Sequence, residues 1–373
     1  MTDEKTAKRS LTYADSGVDY DVLDPFKRAA QQAAAATSRT LWKRGVSEVE
    51  WSRGESAYLQ FLGDGRFMAH VEEGLGSKNL IADAMQDASG TCYYDHIAQD
   101  TVAMIVNDMI TLGALPNSVA MHLAVGSNSW FHDETRVLKL IEGWQHSCQS
   151  AGCAWGGGET PTLKGLVARN RAVISGSAVG LTAEQHLIRG KIADGDAIIL
   201  LHGSGIHANG LTLAREIAGL LPQGYLTLLP DGRTYGEALL DPTPIYVPAI
   251  EALQRIGVDI HYAVNITGHG WRKLMRLPKP FTYRIECLPK PQPIFEFIAR
   301  HGNIDEREMF GNFNMGAGFA VYVAQKDMPR TICAIRDAGL SAFWAGRIVK
   351  SDERQVVIAQ KNLIFSGDTL TVR

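Results

Sequence analysis

The sequence predicts an α+β fold in two domains, and three observations carry that expectation. Its 373 residues are 45% hydrophobic and 21% charged, enough chain to bury more than one core. Segments with strand and helix patterns follow one another in mixed order, which suits α+β architecture. Each half also carries its own glycine-rich turns, and a polar, irregular stretch over 182–192 separates them. The expected domains are therefore 1–182 and 183–373.

The first half opens with an alanine-rich run, residues 29–36, whose propensity favours a helix over 21–39. Short β-like runs follow at 58–62 and 67–71. Between Thr101 and Gly113 the apolar Val102, Ile105, Val106, Met109 and Ile110 keep helical spacing, with Asp100 and Asn107 on the opposite face. Val137, Leu138, Ile141, Trp144 and Cys148 mark a second helix that Gly152 ends, and residues 171–180 read as a strand. The second half begins strand, glycine loop, helix at 197–201, 202–209 and 210–221. Further helices are expected at 246–256 and 293–300, and late strands at 319–323 and 355–359.

The formal charge of −3 gives no footprint for nucleic acid or an anionic membrane, so a small-molecule partner is favoured. The start lacks the apolar core of a secretory signal, and no stretch has eighteen uninterrupted apolar residues. Five dispersed cysteines without CxxC spacing argue against a disulfide framework or a zinc site and read as buried or inert thiols. A soluble protein of the reducing cytoplasm is expected.

Four glycine stretches carry the chemistry: Glu73-Gly74-Leu75-Gly76-Ser77-Lys78, Gly156-Gly157-Gly158-Glu159-Thr160, Gly203 to Gly210, and Thr267-Gly268-His269-Gly270. Bare backbone amides beside carboxylates suit a magnesium-bound polyphosphate, because amides and lysine meet phosphate oxygens while the acids hold the metal. Each stretch has a plainer reading. The first is no Walker loop and equally describes a strand-ending turn. Asp100 and Asn107, with Asp108 beside them, also describe a solvated helix face. Glu159 follows a glycine run whose use is close backbone approach, or it simply precedes a turn at Pro161. Asn209 also suits a helix N-cap, and His207 and His269 suit exposed turns.

Taken in order, these segments resemble the aminoimidazole ribonucleotide synthetase family, also called phosphoribosylformylglycinamidine cyclo-ligase, over nearly the whole chain. The strings are Tyr13 to Asp19, Asp100 to Asp108, Gly113 to Pro116, Gly152 to Thr160, Gly205 to Gly210, Pro242 to Val247, Thr267 to Gly270 and Phe313 to Gly316. The departures fall at sites. Glu73 stands where the family has Asp, and His269 replaces a glycine. Segments 42–47 and 161–165 also differ from the family's glycine-rich and Glu-Met-Pro-Gly stretches.

The resemblance implies a two-domain ATP-binding cyclo-ligase fold, with a four-stranded N-terminal sheet flanked by helices, a C-terminal α+β domain, and a homodimer formed through the N-terminal sheets. It implies ATP and Mg2+ as cofactors and a nucleotide substrate, formylglycinamidine ribonucleotide, closed to aminoimidazole ribonucleotide through phosphorylation of its formyl amide oxygen. Carried onto this chain, Glu73, Asp100, Asp108 and Glu159 would hold metal. Lys78, Asp100, Glu159 and His207 would be catalytic. Gly74, Gly76, Ser77, Lys78, Asn107, Thr160, Asn209, Gly268 and Asn314 would bind nucleotide. The substituted segments keep open an ATP-dependent enzyme acting on another amide or carboxylate oxygen, and Glu73 keeps open a silent nucleotide-binding homologue.

Overall fold

The computed structural model describes residues 20–370; the string Tyr13 to Asp19 lies outside them. Helix α1 (Tyr20–Thr37) precedes a first sheet of β1 (Ser47–Glu48), β2 (Tyr58–Gly63), β3 (Arg66–Gly74), β4 (Leu115–Val125), β5 (Ala154–Glu159) and β6 (Ala172–Ala183), with α2 (Lys78–Ser89), α3 (Tyr94–Met109) and α4 (Glu134–Ser150) between the strands. The order is β1-β2-β3-β6-β4-β5. Here the four strands implied by resemblance become six. β1 is too short to leave a side-chain period, and β5 is the glycine run itself.

β5 lies parallel to β4, with a register shift that leaves Gly156 as the extra residue. A Cβ on Gly158 would sit 2.1 Å from the Met121 carbonyl oxygen, so that glycine serves strand-to-strand approach. The expected turn is thus an edge strand, and all six of its residues are exposed. Helices α3 and α4 pack together on one face of the sheet. The other face is open, and on β6 it presents Val173, Val179 and Leu181, which are 51%, 39% and 48% exposed.

The second sheet takes β7 (Ala197–His202), β8 (Ile260–Asn265), β9 (Phe281–Ile285), β10 (Ala317–Val323), β11 (Ala342–Lys350), β12 (Gln355–Ile358) and β13 (Leu363–Ser366) in the order β13-β12-β9-β11-β7-β10-β8. Around it lie α5 (Leu211–Leu220), α6 (Tyr235–Leu239), α7 (Val247–Arg255), α8 (Pro293–Gly302), α9 (Glu306–Asn312) and α10 (Met328–Asp337). The apolar runs expected as strands at 197–201 and 319–323 are central and wholly buried, as a two-sided core strand requires.

One expectation fails at α3. Asp100 and Asn107 are not on a solvated face; both are fully buried. That face docks on residues 241–246 of the second domain. The Asp100 carboxylate accepts from the Thr243 amide at 2.9 Å and from its hydroxyl, and meets the Lys78 ammonium at 2.7 Å. Lys78 also donates to the Asp241 carbonyl at 2.8 Å. Asn107 donates to the Pro244 carbonyl at 2.9 Å and accepts from the Tyr246 amide at 2.8 Å. Apolar spacing marks only the face turned to its own sheet; a polar face bonded to another domain leaves the same trace as one bonded to water.

Removing one member of this dry pair strands the other's charge. Asp100→Ala should lower the unfolding free energy by about 3–5 kcal/mol in chemical denaturation. The double change Lys78→Met with Asp100→Leu should recover most of that loss.

Candidate active site

A cleft of about 450 Å³ opens where β3, α3 and the second domain meet, lined among others by Lys27, Glu55, Glu73, Asp108, Asn209, Gly268, His269, Lys273 and Arg276. Glu73 arrives near the end of β3 and Asp108 near the end of α3. Their carboxyl groups are hydrogen-bonded to each other; burial, then the Asp108 charge, pushes the Glu73 pKa up to about 7. Asn265 donates to Asp108 at 2.7 Å and fixes it from the second domain. Two touching hard-oxygen acids with basic groups around them are a donor set that fits a divalent cation carrying phosphate.

The basic wall comes largely from the segment after Thr267-Gly268-His269-Gly270. Lys273 is half-buried and bonded to the Thr267 hydroxyl, and desolvation lowers its pKa to about 8. Arg276 donates to the Ser56 hydroxyl at 2.8 Å and the Gly54 carbonyl at 2.9 Å, lashing the second domain to the loop before β2. His269 holds a left-handed backbone, φ 69°, which costs a residue with a Cβ about 1 kcal/mol. Burial, then the neighbouring Arg272, Lys273 and Lys27 charges, lowers its pKa to about 3, so the ring is neutral.

The structure thus gathers Glu73, Asp108, Asn209 and Gly268 in one cavity. Gly74, Gly76 and Ser77 form the turn into α2, where Ser77 makes no side-chain cap. A Cβ at Gly76 would meet nothing within 4 Å, so this glycine serves its positive φ of 74°. Lys78, expected on phosphate, is instead turned to Asp100 and Asp241, because a buried ammonium needs a buried carboxylate. Asp100 is correspondingly occupied at the domain seam by Lys78 and Thr243, and Asn107 is taken by residues 244–246.

His207 is buried rather than an exposed turn residue. It sits at φ 60°, its Nε2 accepts from the Ser204 amide at 3.3 Å, and burial, then the Lys78 charge, lowers its pKa to about 3. Asn314 braces its own loop, donating to Gly205 and accepting from the Gly316 amide, both at 2.9 Å. Glu159 and Thr160 lie elsewhere: Glu159 pairs with His122, His122 with Ser175, and Ser175 with Gly74. Three strand spacings put Glu159 roughly 14 Å from Gly74 within one chain.

Lys27, Glu55, Lys273 and Arg276 are cleft residues that the motif reading missed. The usable signal was Lys273 and Arg276, charged positions set among the buried Trp271, Leu274 and Met275. A second, larger cleft of about 780 Å³ lies between residues 126–128 and 162–169, with Lys164 and Arg169 on its wall. It incorporates the segment that departs from the family string.

Fold and cleft together define a two-domain α+β protein of the AIR synthase related class: the N-terminal domain model matches residues 55–182 and the C-terminal domain model residues 193–359. The chain belongs to the phosphoribosylformylglycinamidine cyclo-ligase family. It is 33% identical over 348 residues to that enzyme of Methanocaldococcus jannaschii, covering 92% of this chain and 93% of the relative. It is 36% identical over 350 residues to that of Myxococcus xanthus, covering 90% and 95%. A chain of the HypE-HypF complex superposes with TM-score 0.60 at 18% identity, covering 84% of this chain and 92% of that one, a likeness of fold.

The folded protein retains the Glu73 proton between pH 4.5 and 7, where the unfolded chain has released it. Stability is therefore fully present below about pH 4.5 and falls as pH rises through 7, by as much as about 3 kcal/mol from this group. Denaturation at pH 5 and pH 8 should show that slope, Glu73→Gln should flatten it, and added magnesium at pH 8 should restore part of the loss.

Proposed function

We propose that the protein is an ATP-dependent cyclo-ligase of purine biosynthesis that converts formylglycinamidine ribonucleotide to aminoimidazole ribonucleotide. The observation that carries this reading is the Glu73–Asp108 carboxylate pair in a basic cleft beside the uncapped start of α2. The amides of Gly74, Gly76 and Ser77 would take phosphate oxygens of ATP, with the α2 dipole favouring the negative charge. Glu73 and Asp108 would hold Mg2+, whose charge offsets that of the phosphates. Lys273 and Arg276, with Lys27 at the mouth, would stabilise negative charge as the γ-phosphoryl group passes to the formyl amide oxygen. An amidine nitrogen then attacks the activated carbon, the phosphorylated oxygen departs as inorganic phosphate, and the five-membered ring closes.

The division at 182/183 belongs to this proposal, as does a cytoplasmic, soluble enzyme; among the described residues no helix is long and apolar enough to cross a membrane. So does a homodimer. The open face of the first sheet shows apolar Val173, Val179 and Leu181, and Glu159 with His122 lies on that same face. We place two such faces together, with Glu159 and Thr160 of each copy serving the site of the other. A different amide or carboxylate acceptor is the second reading, favoured by His269 in the cleft and by the altered 162–165 segment on the wall of the larger one.

Purified protein with magnesium, ATP and formylglycinamidine ribonucleotide should release aminoimidazole ribonucleotide and ADP together. ADP formed only with another amide would establish the second reading, and nucleotide binding without ADP from any acceptor would end both. Glu159→Gln should cut turnover on the order of a hundredfold without unfolding the protein, since its side chain is exposed. For the assembly, light scattering should give the mass of two chains, and Leu181→Lys should reduce it to one.

A further inference from the structure

Helix α4 ends in a Schellman turn. The Gly152 amide bonds the Gln149 carbonyl at 3.1 Å, the Cys153 amide bonds the Cys148 carbonyl at 3.0 Å, and Gly152 takes the left-handed φ of 66°. Such a turn sets the side chain three residues before the cap against the side chain two residues beyond it. Ordinarily that contact is between two hydrophobic groups. Here both positions are cysteine, and their thiols are hydrogen-bonded to each other.

We propose that Cys148 and Cys153 form a thiol-oxidation site, closing reversibly to an intrachain disulfide that ties the end of α4 to the start of β5. The two thiols are unlike. Cys148 is 3% exposed, while Cys153 is half-buried between the exposed Gly152 and Ala154. The hydrogen bond from Cys148 holds the Cys153 pKa below the ordinary thiol value, and the same bond together with burial holds Cys148 up. Cys153 is therefore the attacking group and Cys148 the resolving one.

With a low-molecular-weight disulfide as oxidant, the Cys153 thiolate attacks one of its sulfurs and releases one thiolate, leaving a mixed disulfide on Cys153. Cys148 then loses its proton to solvent and attacks the Cys153 sulfur, releasing the second small thiol. Two protein thiols are oxidised, one small disulfide is reduced to two thiols, and the atoms balance. The reading of the thiols as inert is thereby revised for this pair. The helix-terminating turn, rather than a CxxC spacing, is what joins them. The site stands on the helix side of the sheet, since Trp155 of β5 packs on Trp144 of α4 with ring centroids 6.0 Å apart. It is independent of the proposed reaction.

The test treats the folded, fully reduced protein with oxidised glutathione, then alkylates, digests and maps by mass spectrometry. The expected product has lost two hydrogens, with Cys148 and Cys153 bridged within one peptide and both protected from alkylation, and dithiothreitol reverses it. Cys148→Ser should stop at a glutathione adduct on Cys153, and Cys153→Ser should abolish the crosslink, leaving any adduct on Cys333 unchanged. Emission from the Trp144–Trp155 pair should shift on oxidation and return on reduction. Both thiols remaining free under conditions that glutathionylate the exposed Cys333, or a glutathione adduct persisting on Cys153 with Cys148 intact, would overturn the proposal.

Discussion

The seam between the domains depends on burying a charged pair without water. Lys78 and Asp100 are each wholly enclosed, and each is tolerated only because the other is there and because Asp241 and Thr243 supply the remaining hydrogen bonds. That seam fixes α3 as a rod with two ends. Asp100 is neutralised at the seam; Asp108, two turns on, emerges beside Glu73 in the cleft, where the Lys273 charge also reaches it. One helix therefore supplies both a lock and a cleft carboxylate, and the lock sets the position of the carboxylate.

The sequence was most legible where side-chain periodicity or backbone chemistry leaves a mark. The apolar stripe of α3, the buried runs of β7 and β10, and the helix of α4 follow directly from spacing and a stop at Gly152. Site residues were legible in part. Glycine beside an acid at Gly74 pointed to the cleft, whereas a positive charge after a glycine turn does not reveal whether it faces phosphate or, like Lys78, a buried aspartate. The charges of 270–276, set among buried apolar residues, show that the segment is not a plain surface turn, but their spacing does not tell which of them converge on a carboxylate folded in from the other domain.

The departures from the family strings now have places. His269 brings a neutral ring into the cleft at a backbone conformation that glycine would adopt without strain. Glu73 extends its carboxylate one methylene further than aspartate and reaches contact with Asp108. Both residues line the same cleft as Asp108 and Lys273.

β5 has a consequence for motion. Its glycines contribute almost no apolar surface, and it hangs on the sheet edge by one ladder to β4 and by the tilted contact of Trp155 with Trp144. The crossover through α4 holds the strand by its first residues, and the bonds of Val125 to Pro161 and Leu163 hold the chain just past Glu159, so the glycines between these anchors are the least supported part of the strand. Breathing there would open this margin alone, with the neighbouring β4–β6 ladder left intact.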